Sequence, residues 1–247
     1  METPANQARA EFHRVFGGSP AFGAAAPGRV ELLGNHTDYN GGLVLAAAVD
    51  RHTIAMGRPR PDRQARVWSV NLSDLDEFPI DAVDPVSAPR GDPSGWRNYP
   101  RGVVHSLQAE HGPLNQGFDA VVVGDVPLGA GLSSSASLLT AVAVLLREAG
   151  LLPSVAASTP LDDPARWSLA RTIQRAENQF VGVACGLLDM FTSLFGQQGR
   201  AVTLDCATFE HGRVPLGPPT PAIVVCDSRT ERRLAEGMYN LRRGECE

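Results

Sequence analysis

"FDAVVVGDVPLGAGLSSSASLLTAVAVLLREAG", residues 118–150, reads in three parts. Residues 118–126 are apolar and β-branched, the composition of a buried strand. "VPLGAGLSSS" then crowds glycines and serines into a turn, and from Ser135 an almost wholly apolar helix runs to a Gly150 stop. A helix N-terminus offers unpaired N–H groups and the positive end of a dipole, and glycines let the backbone approach an anion closely. Gly129, Ala130, Gly131, Leu132, Ser133, Ser134 and Ser135 are therefore a candidate anion cradle, with hydroxyls that add donors and can coordinate a metal. A serine N-cap on a buried helix accounts for "GLSSS" equally well on its own.

Outward from this unit, strand patterns occur at residues 43–50, 53–58 and 66–72, and at "AVTLD", 201–205. Residues 73–95 are acidic and proline-rich, which predicts a long loop. Trp96, Tyr99, Val103 and Leu107 recur at helical spacing, with Pro100 placed in the first turn, where its missing N–H does no harm. A loop at 151–164 precedes a second helix carrying Leu169, Ile173, Ala176, Phe180 and Val183 on one stripe, loosened by Gly182 and Gly186. Phe12, Val15 and Phe16 mark a short N-terminal amphipathic helix ending at Gly17-Gly18. "GRVPLGPPTP", 212–221, reads as a linker, "AIVVCD", 222–227, as a buried strand, and residues 231–247 as the start of a helix. Strands and helices mix without regular βαβ alternation, so the expected class is α+β.

The 247-residue chain has a net charge of −5, which gives no electrostatic footprint for nucleic acid. All 22 basic residues are arginine. That excludes a Walker A loop, which needs a lysine after its glycines, and any Schiff-base lysine. No run has signal-peptide or membrane-spanning character, and the four cysteines show no metal-ligand spacing, so a cytoplasmic setting is expected.

Two further stretches carry polar groups in telling places. "GRVELLGNHTDYNGG", residues 28–42, sets Arg29, Asn35, His36, Asp38 and Tyr39 between glycines, the makings of a pocket for a hydroxyl-rich ligand or of a polar surface turn. In "AENQFVGVACGLLDMF", 176–191, Asp189 sits among apolar residues, where a carboxylate is costly unless paired. Glu177, at the edge of an apolar stripe, reads on pattern alone as a solvated helix residue.

Together these stretches resemble the galactokinases of the GHMP kinase superfamily. "PGRVELLGNHTDYNGGLVL" is similar to that family's sugar signature, "PLGAGLSSSAS" to its phosphate loop and "ENQFVGVACGLLD" to its third block. "GWRNYPRGVV" and "MYNLRRGECE" also match, in the same order. The resemblance implies the two-domain GHMP kinase architecture, with an N-terminal domain over 1–211, a linker at 212–221 and the start of a C-terminal domain at 222–247. It implies a sugar 1-kinase using ATP and Mg²⁺, with no nucleic-acid or membrane partner. Asp189 would be the catalytic base, or at least orient the attacking oxygen, and Arg29 would hold that carboxylate ionised and offset charge on the transferring phosphoryl group. Asn35, His36, Asp38, the backbone of Gly186, and Tyr239 would bind the sugar. Gly129 to Ser135 would wrap the ATP phosphates, Ser135 and Glu177 would hold Mg²⁺, and Trp96 and Tyr99 would border adenine or simply pack in the core.

Two departures stand out. The family usually carries glutamate where this chain has Asn35, which keeps an acceptor but loses the charge, an effect on sugar affinity of about 1–2 kcal/mol. Galactokinases also continue well past the length of this chain, so a missing C-terminal segment is expected. The alternatives are an inactive truncated fragment or a non-catalytic sugar- or ATP-binding regulator. A mevalonate- or homoserine-type kinase is disfavoured by the "HTDYN" loop.

Overall fold

The structure, a computed structural model, describes residues 3–87, 92–156, 159–217, 222–226 and 244–245. Its spine is β2 (Leu43–Arg60), one 18-residue strand where the pattern of the sequence suggests two. The polar pair Arg51-His52 interrupts the apolar run, but the backbone stays extended because both halves have partners. Leu43–Ala46 pairs with β6 (Arg200–Asp205), and Thr53–Arg60 pairs with β5 (Gly117–Gly124). Along the same strand lies β1 (Phe22–Leu33), antiparallel from Phe22↔Gly57 to Leu33↔Leu45. No strand is expected there from pattern. It forms by pairing with β2, its one strand partner among the described residues, an edge position that tolerates Pro27, with irregular register at Pro27/Arg29 and Glu31/Leu33.

The full sheet runs β4-β3-β5-β2-β6-β7, with β1 off this path. Strand β3 (Gln64–Ser69) is parallel to β5, while β4 (Asp74–Pro79) is antiparallel to β3. Strand β4 corrects the expectation of one loop over 73–95. Its Asp76 and Phe78, with Ile80 just beyond, alternate inward and are all buried, so charge hid a period-two pattern. Similarly β7 (His211–Pro215) pairs with β6 and takes up the first residues of the expected linker. Residues 222–226, expected as a buried strand, are neither strand nor buried: Ile223, Val224 and Val225 are exposed. Apolar character alone does not make a strand where, among the described residues, none pairs with it. Asp227, and the expected helix over 231–247 except 244–245, lie outside the described residues.

Helix α1 (Pro4–Phe16) covers one face of the sheet, packing Ala8 and Phe12 on Val121 and Val123 of β5. The other face carries α2 (Asn98–His111), α3 (Ser134–Glu148), α4 (Asp163–Arg175) and α5 (Leu188–Phe195). Their cluster includes Phe118, Ala120 and Val122, the alternate residues of β5. Strand β5 is thus buried on both sides, which explains its continuous apolar sequence. One charge interrupts it. Asp119, 1% exposed, faces α1 and accepts from Arg66 Nε at 2.7 Å, Arg60 Nη1 at 2.9 Å and Arg58 Nη2 at 3.2 Å. Arg58 also donates to the carbonyls of Phe16 and Gly17, tying the end of α1 to the sheet. The mixed, mostly antiparallel sheet with segregated helices is the expected α+β architecture.

Candidate active site

The site forms where β1, the glycine-serine loop before α3, and the start of α5 converge. Gly28 allows the approach. A Cβ there would stand 2.6 Å from the Leu132 carbonyl oxygen and 2.9 Å from Val126. The next residue uses that proximity: the Arg29 N–H donates to the Leu132 carbonyl at 3.0 Å, and its Nη1 donates to the Gly131 carbonyl at 2.7 Å.

Asp189 occupies the first turn of α5, where the helix dipole favours a carboxylate. Its Oδ1 accepts from Arg29 Nε at 2.7 Å, with Nη2 at 2.5 Å, and its Oδ2 accepts from the Ser133 hydroxyl at 2.7 Å. Both oxygens are thereby oriented. Ser193 fixes α5 to β1 by donating its hydroxyl to the Pro27 carbonyl at 2.9 Å.

In the glycine-serine loop, Gly129, Gly131 and Ser133 are left-handed, with φ of 70°, 77° and 58°. Ser133, a non-glycine residue in that region, is held there while its hydroxyl serves Asp189 and makes no capping bond. The plain N-cap reading of "GLSSS" therefore does not describe it. The Ser137 N–H opens the intrahelical ladder on the Ser133 carbonyl at 3.0 Å, so the amides of residues 134–136 stand ahead of the first helical bond. Ser137 itself locks α3 to β1 and β2 through the Ala26 carbonyl at 2.7 Å and Thr53 Oγ1 at 2.8 Å.

Glu177 is buried, 4% exposed, rather than the solvated residue its pattern suggests. It is the second residue of a π-helical turn, Ala176–Val181, that follows α4, four residues after buried Ile173 and eight after buried Leu169, so it borders the apolar stripe and is covered with it. Burial pushes its carboxyl up to about 7, and the Asp189 charge adds to this, while hydrogen bonds from Ser135 and Cys185 pull the other way. The Cys185 thiol lies 3.4 Å from Glu177 Oε2. Ser135 and Glu177 offer one hydroxyl and one carboxylate side by side, hard oxygen donors suited to Mg²⁺ completed by water and phosphate oxygens. A bound cation would also offset the cost of the buried charge. Among the described residues, no group of three or more His, Cys, Asp or Glu side chains forms a self-sufficient metal cage.

The loop over residues 34–42 is folded by its own polar groups. Thr37 donates to the carbonyls of Gly34 at 2.7 Å and Leu43 at 3.0 Å, and Asn40 Nδ2 donates to the His36 carbonyl at 2.8 Å. His36, left-handed at φ 63°, shares a hydrogen bond with the Tyr39 hydroxyl. Asp38 points inward against Gly186, whose added Cβ would fall 1.9 Å from Asp38 Oδ2. Burial and then the nearby Asp189 charge push the Asp38 carboxyl up. Asn35 and His36 lie exposed at the rim. Arg29, Asp38, Gly186, Asp189, Ser133, Ser135 and Glu177 are thus brought into one region. Trp96 is buried in the core and donates its indole N–H to Asp74 at 2.8 Å, while Tyr99 is half-buried against the same core. Tyr239 lies outside the described residues.

Thr37, Cys185 and Glu31, which the sequence motifs do not single out, also lie in this region. Glu31 carries a detectable signal, because it follows Arg29 by two residues, the spacing of one strand face.

Comparison with known proteins gives consistent matches. The galactokinase galactose-binding signature matches residues 10–59, and the GHMP kinases N terminal domain matches residues 98–197. A galactokinase of Roseiflexus sp. (strain RS-1) is 42% identical over 239 residues, covering 97% of this chain and 56% of that protein. The human galactokinase is 39% identical over 246 residues, covering 98% and 59% respectively. The chain therefore spans a little over half the length of these curated relatives. Among solved structures, Lactococcus lactis galactokinase complexed with galactose aligns with a TM-score of 0.71 at 30% identity, over 96% of this chain and 60% of that one. Methanococcus jannaschii mevalonate kinase shares the fold, with a TM-score of 0.59 at 15% identity over 80% of this chain and 56% of that one. No helix among the described residues is long and apolar enough to cross a membrane.

Proposed function

Because this chain belongs to the galactokinase family of the GHMP kinases, we propose that it phosphorylates galactose. The γ-phosphoryl group of ATP is transferred to the anomeric hydroxyl, giving galactose 1-phosphate and ADP. The observation that carries this reading is the Asp189 carboxylate, held at one oxygen by Arg29 and at the other by Ser133, beside a loop suited to phosphates.

In this reading the anomeric oxygen attacks the γ-phosphorus, its proton passes to an Asp189 oxygen, and the bond to the bridging oxygen of ADP breaks. Arg29 orients Asp189 and sets positive charge next to the phosphoryl group, where such transfer gains most from positioning and charge neutralisation. Amides and hydroxyls of Gly129–Ser135 receive the phosphates. Ser135 and Glu177 would hold Mg²⁺, which would supply charge neutralisation when bound. Asp38, His36, Asn35, Tyr239 and the Gly186 backbone bind sugar hydroxyls, and Trp96 and Tyr99 border the adenine side. A cytoplasmic setting, with ATP and a free hexose at hand, goes with this reading, as does a C-terminal segment beyond the region matched here.

The test is Asp189→Ala in the complete protein, followed by ADP release with galactose and by direct ATP binding. Turnover is expected to fall by at least about a thousandfold, the scale of losing a positioned base, with ATP affinity nearly unchanged. Near-normal turnover would sink the assignment. A parent protein that binds galactose and ATP without releasing ADP would instead be a sensor.

A further inference from the structure

Glu31 lies two residues beyond Arg29 on β1, so the two side chains leave the same face of the strand. Their cross-strand partners are Ala46 and Ala48 of β2, whose methyl groups offer no hydrogen bond. The Arg29 guanidinium is committed to Asp189 and the Gly131 carbonyl. Glu31 Oε1 is buried and has no hydrogen-bond partner among the described residues. The charges that reach Glu31 are those of Arg29, Asp38, Asp189 and His36, all members of the candidate site. Burial pushes its carboxyl up, Arg29 opposes this, and Asp38 and Asp189 add to it. A buried acceptor left unpaired is costly, and folded proteins keep few of them. Here the missing donor would arrive with the ligand. The rim residue Asn35 is uncharged, so the loop after β1 contributes Asp38 alone as a carboxylate, and Glu31 adds a second from the strand itself.

We propose that Glu31 is a substrate-contacting, specificity-determining residue: its buried Oε1 accepts a hydrogen bond from a hydroxyl of the sugar held between Arg29 and Asp38. This inference rests on the sugar-kinase reading above. It assigns the recognition of one hydroxyl to a strand residue rather than to the polar loop.

The test uses Glu31→Gln and Glu31→Ala in the complete protein, with galactose and its monodeoxy analogues, read by calorimetric binding and by KM and kcat. Glu31→Gln keeps the shape but loses the charge. It should raise the galactose KM about tenfold, the scale of a charge-assisted hydrogen bond reduced to a neutral one. Its kcat and ATP KM should stay within about twofold. The parent protein should bind one deoxygalactose markedly worse than galactose, and Glu31→Ala should bind the two alike. Unchanged galactose affinity in both variants would overturn the inference. So would an equal loss for galactose and every analogue, which marks a packing role. A parent protein that neither binds nor phosphorylates any hexose would overturn the kinase reading, and this inference with it. The two failures are therefore distinguishable.

Discussion

A single side chain illustrates how the site stores cost. Glu177 is buried with a carboxyl pushed up from 4.5 to about 7, so the native state holds its proton more tightly than the unfolded chain does. Stability from this group is therefore full below about pH 4.5 and declines as pH rises to about 7, as the buried carboxylate must ionise. The span corresponds to at most about 3 kcal/mol. In metal-free protein, Glu177→Gln should remove this dependence. Thermal melts at pH 5 and pH 8 should show the parent losing ground to the variant at the higher pH, and parallel changes would refute it. The same variant should need more Mg²⁺ to bind ATP. Individual residues were unevenly legible in the sequence. Arg29, Asp38 and Asp189 were recognisable from their motifs. Pattern alone makes Glu177 solvated, because it stands at the edge of the apolar stripe, while its motif sets it among the site residues; Glu31 gives its signal only once β1 is recognised as a strand.

Secondary-structure elements were legible where one physical signal dominated. The buried strand β5 and helix α3 follow directly from their apolar runs, and α2 accommodates Pro100 in its first turn as its spacing predicts. Strands β1, β4 and β7 were hidden by proline, by acidic residues and by a proline-rich flank, and each is settled by a neighbouring strand rather than by its own propensity. The ionic cluster under α1 binds several of these elements to one another. Asp119 on β5 gathers Arg58 and Arg60 from β2 and Arg66 from β3, and Arg58 extends the link to α1. Asp119→Ala would strand three arginines around a buried gap, at a cost of about 3–5 kcal/mol. Urea titration checks this, and a loss below about 1 kcal/mol would mean that solvent reaches these arginines easily.

At the scale of the whole molecule, β2 joins everything that matters. Strand β1 pairs along both its halves; the N-terminal half follows the 34–42 loop and also pairs with β6, and the C-terminal half also pairs with β5, the strand that leads into the glycine-serine loop. Hydrogen exchange should therefore be slowest in the central amides of β2 and β5 and fastest in the 34–42 and 127–131 loops. Slow exchange throughout both loops would contradict this ranking. The overall layout was legible from the sequence as an α+β mixture, but the continuity of β2 was not, because Arg51-His52 reads locally as a break. Arg29 adds a second tie, with its backbone on Leu132 and its side chain on both Gly131 and Asp189. In the proposed function, the sugar side and the phosphate side thus meet at one residue on a stiff frame. For the proposed reaction, regioselectivity then becomes a matter of reach: among hydroxyls of similar intrinsic reactivity, the one phosphorylated is the one this fixed span delivers to the phosphorus.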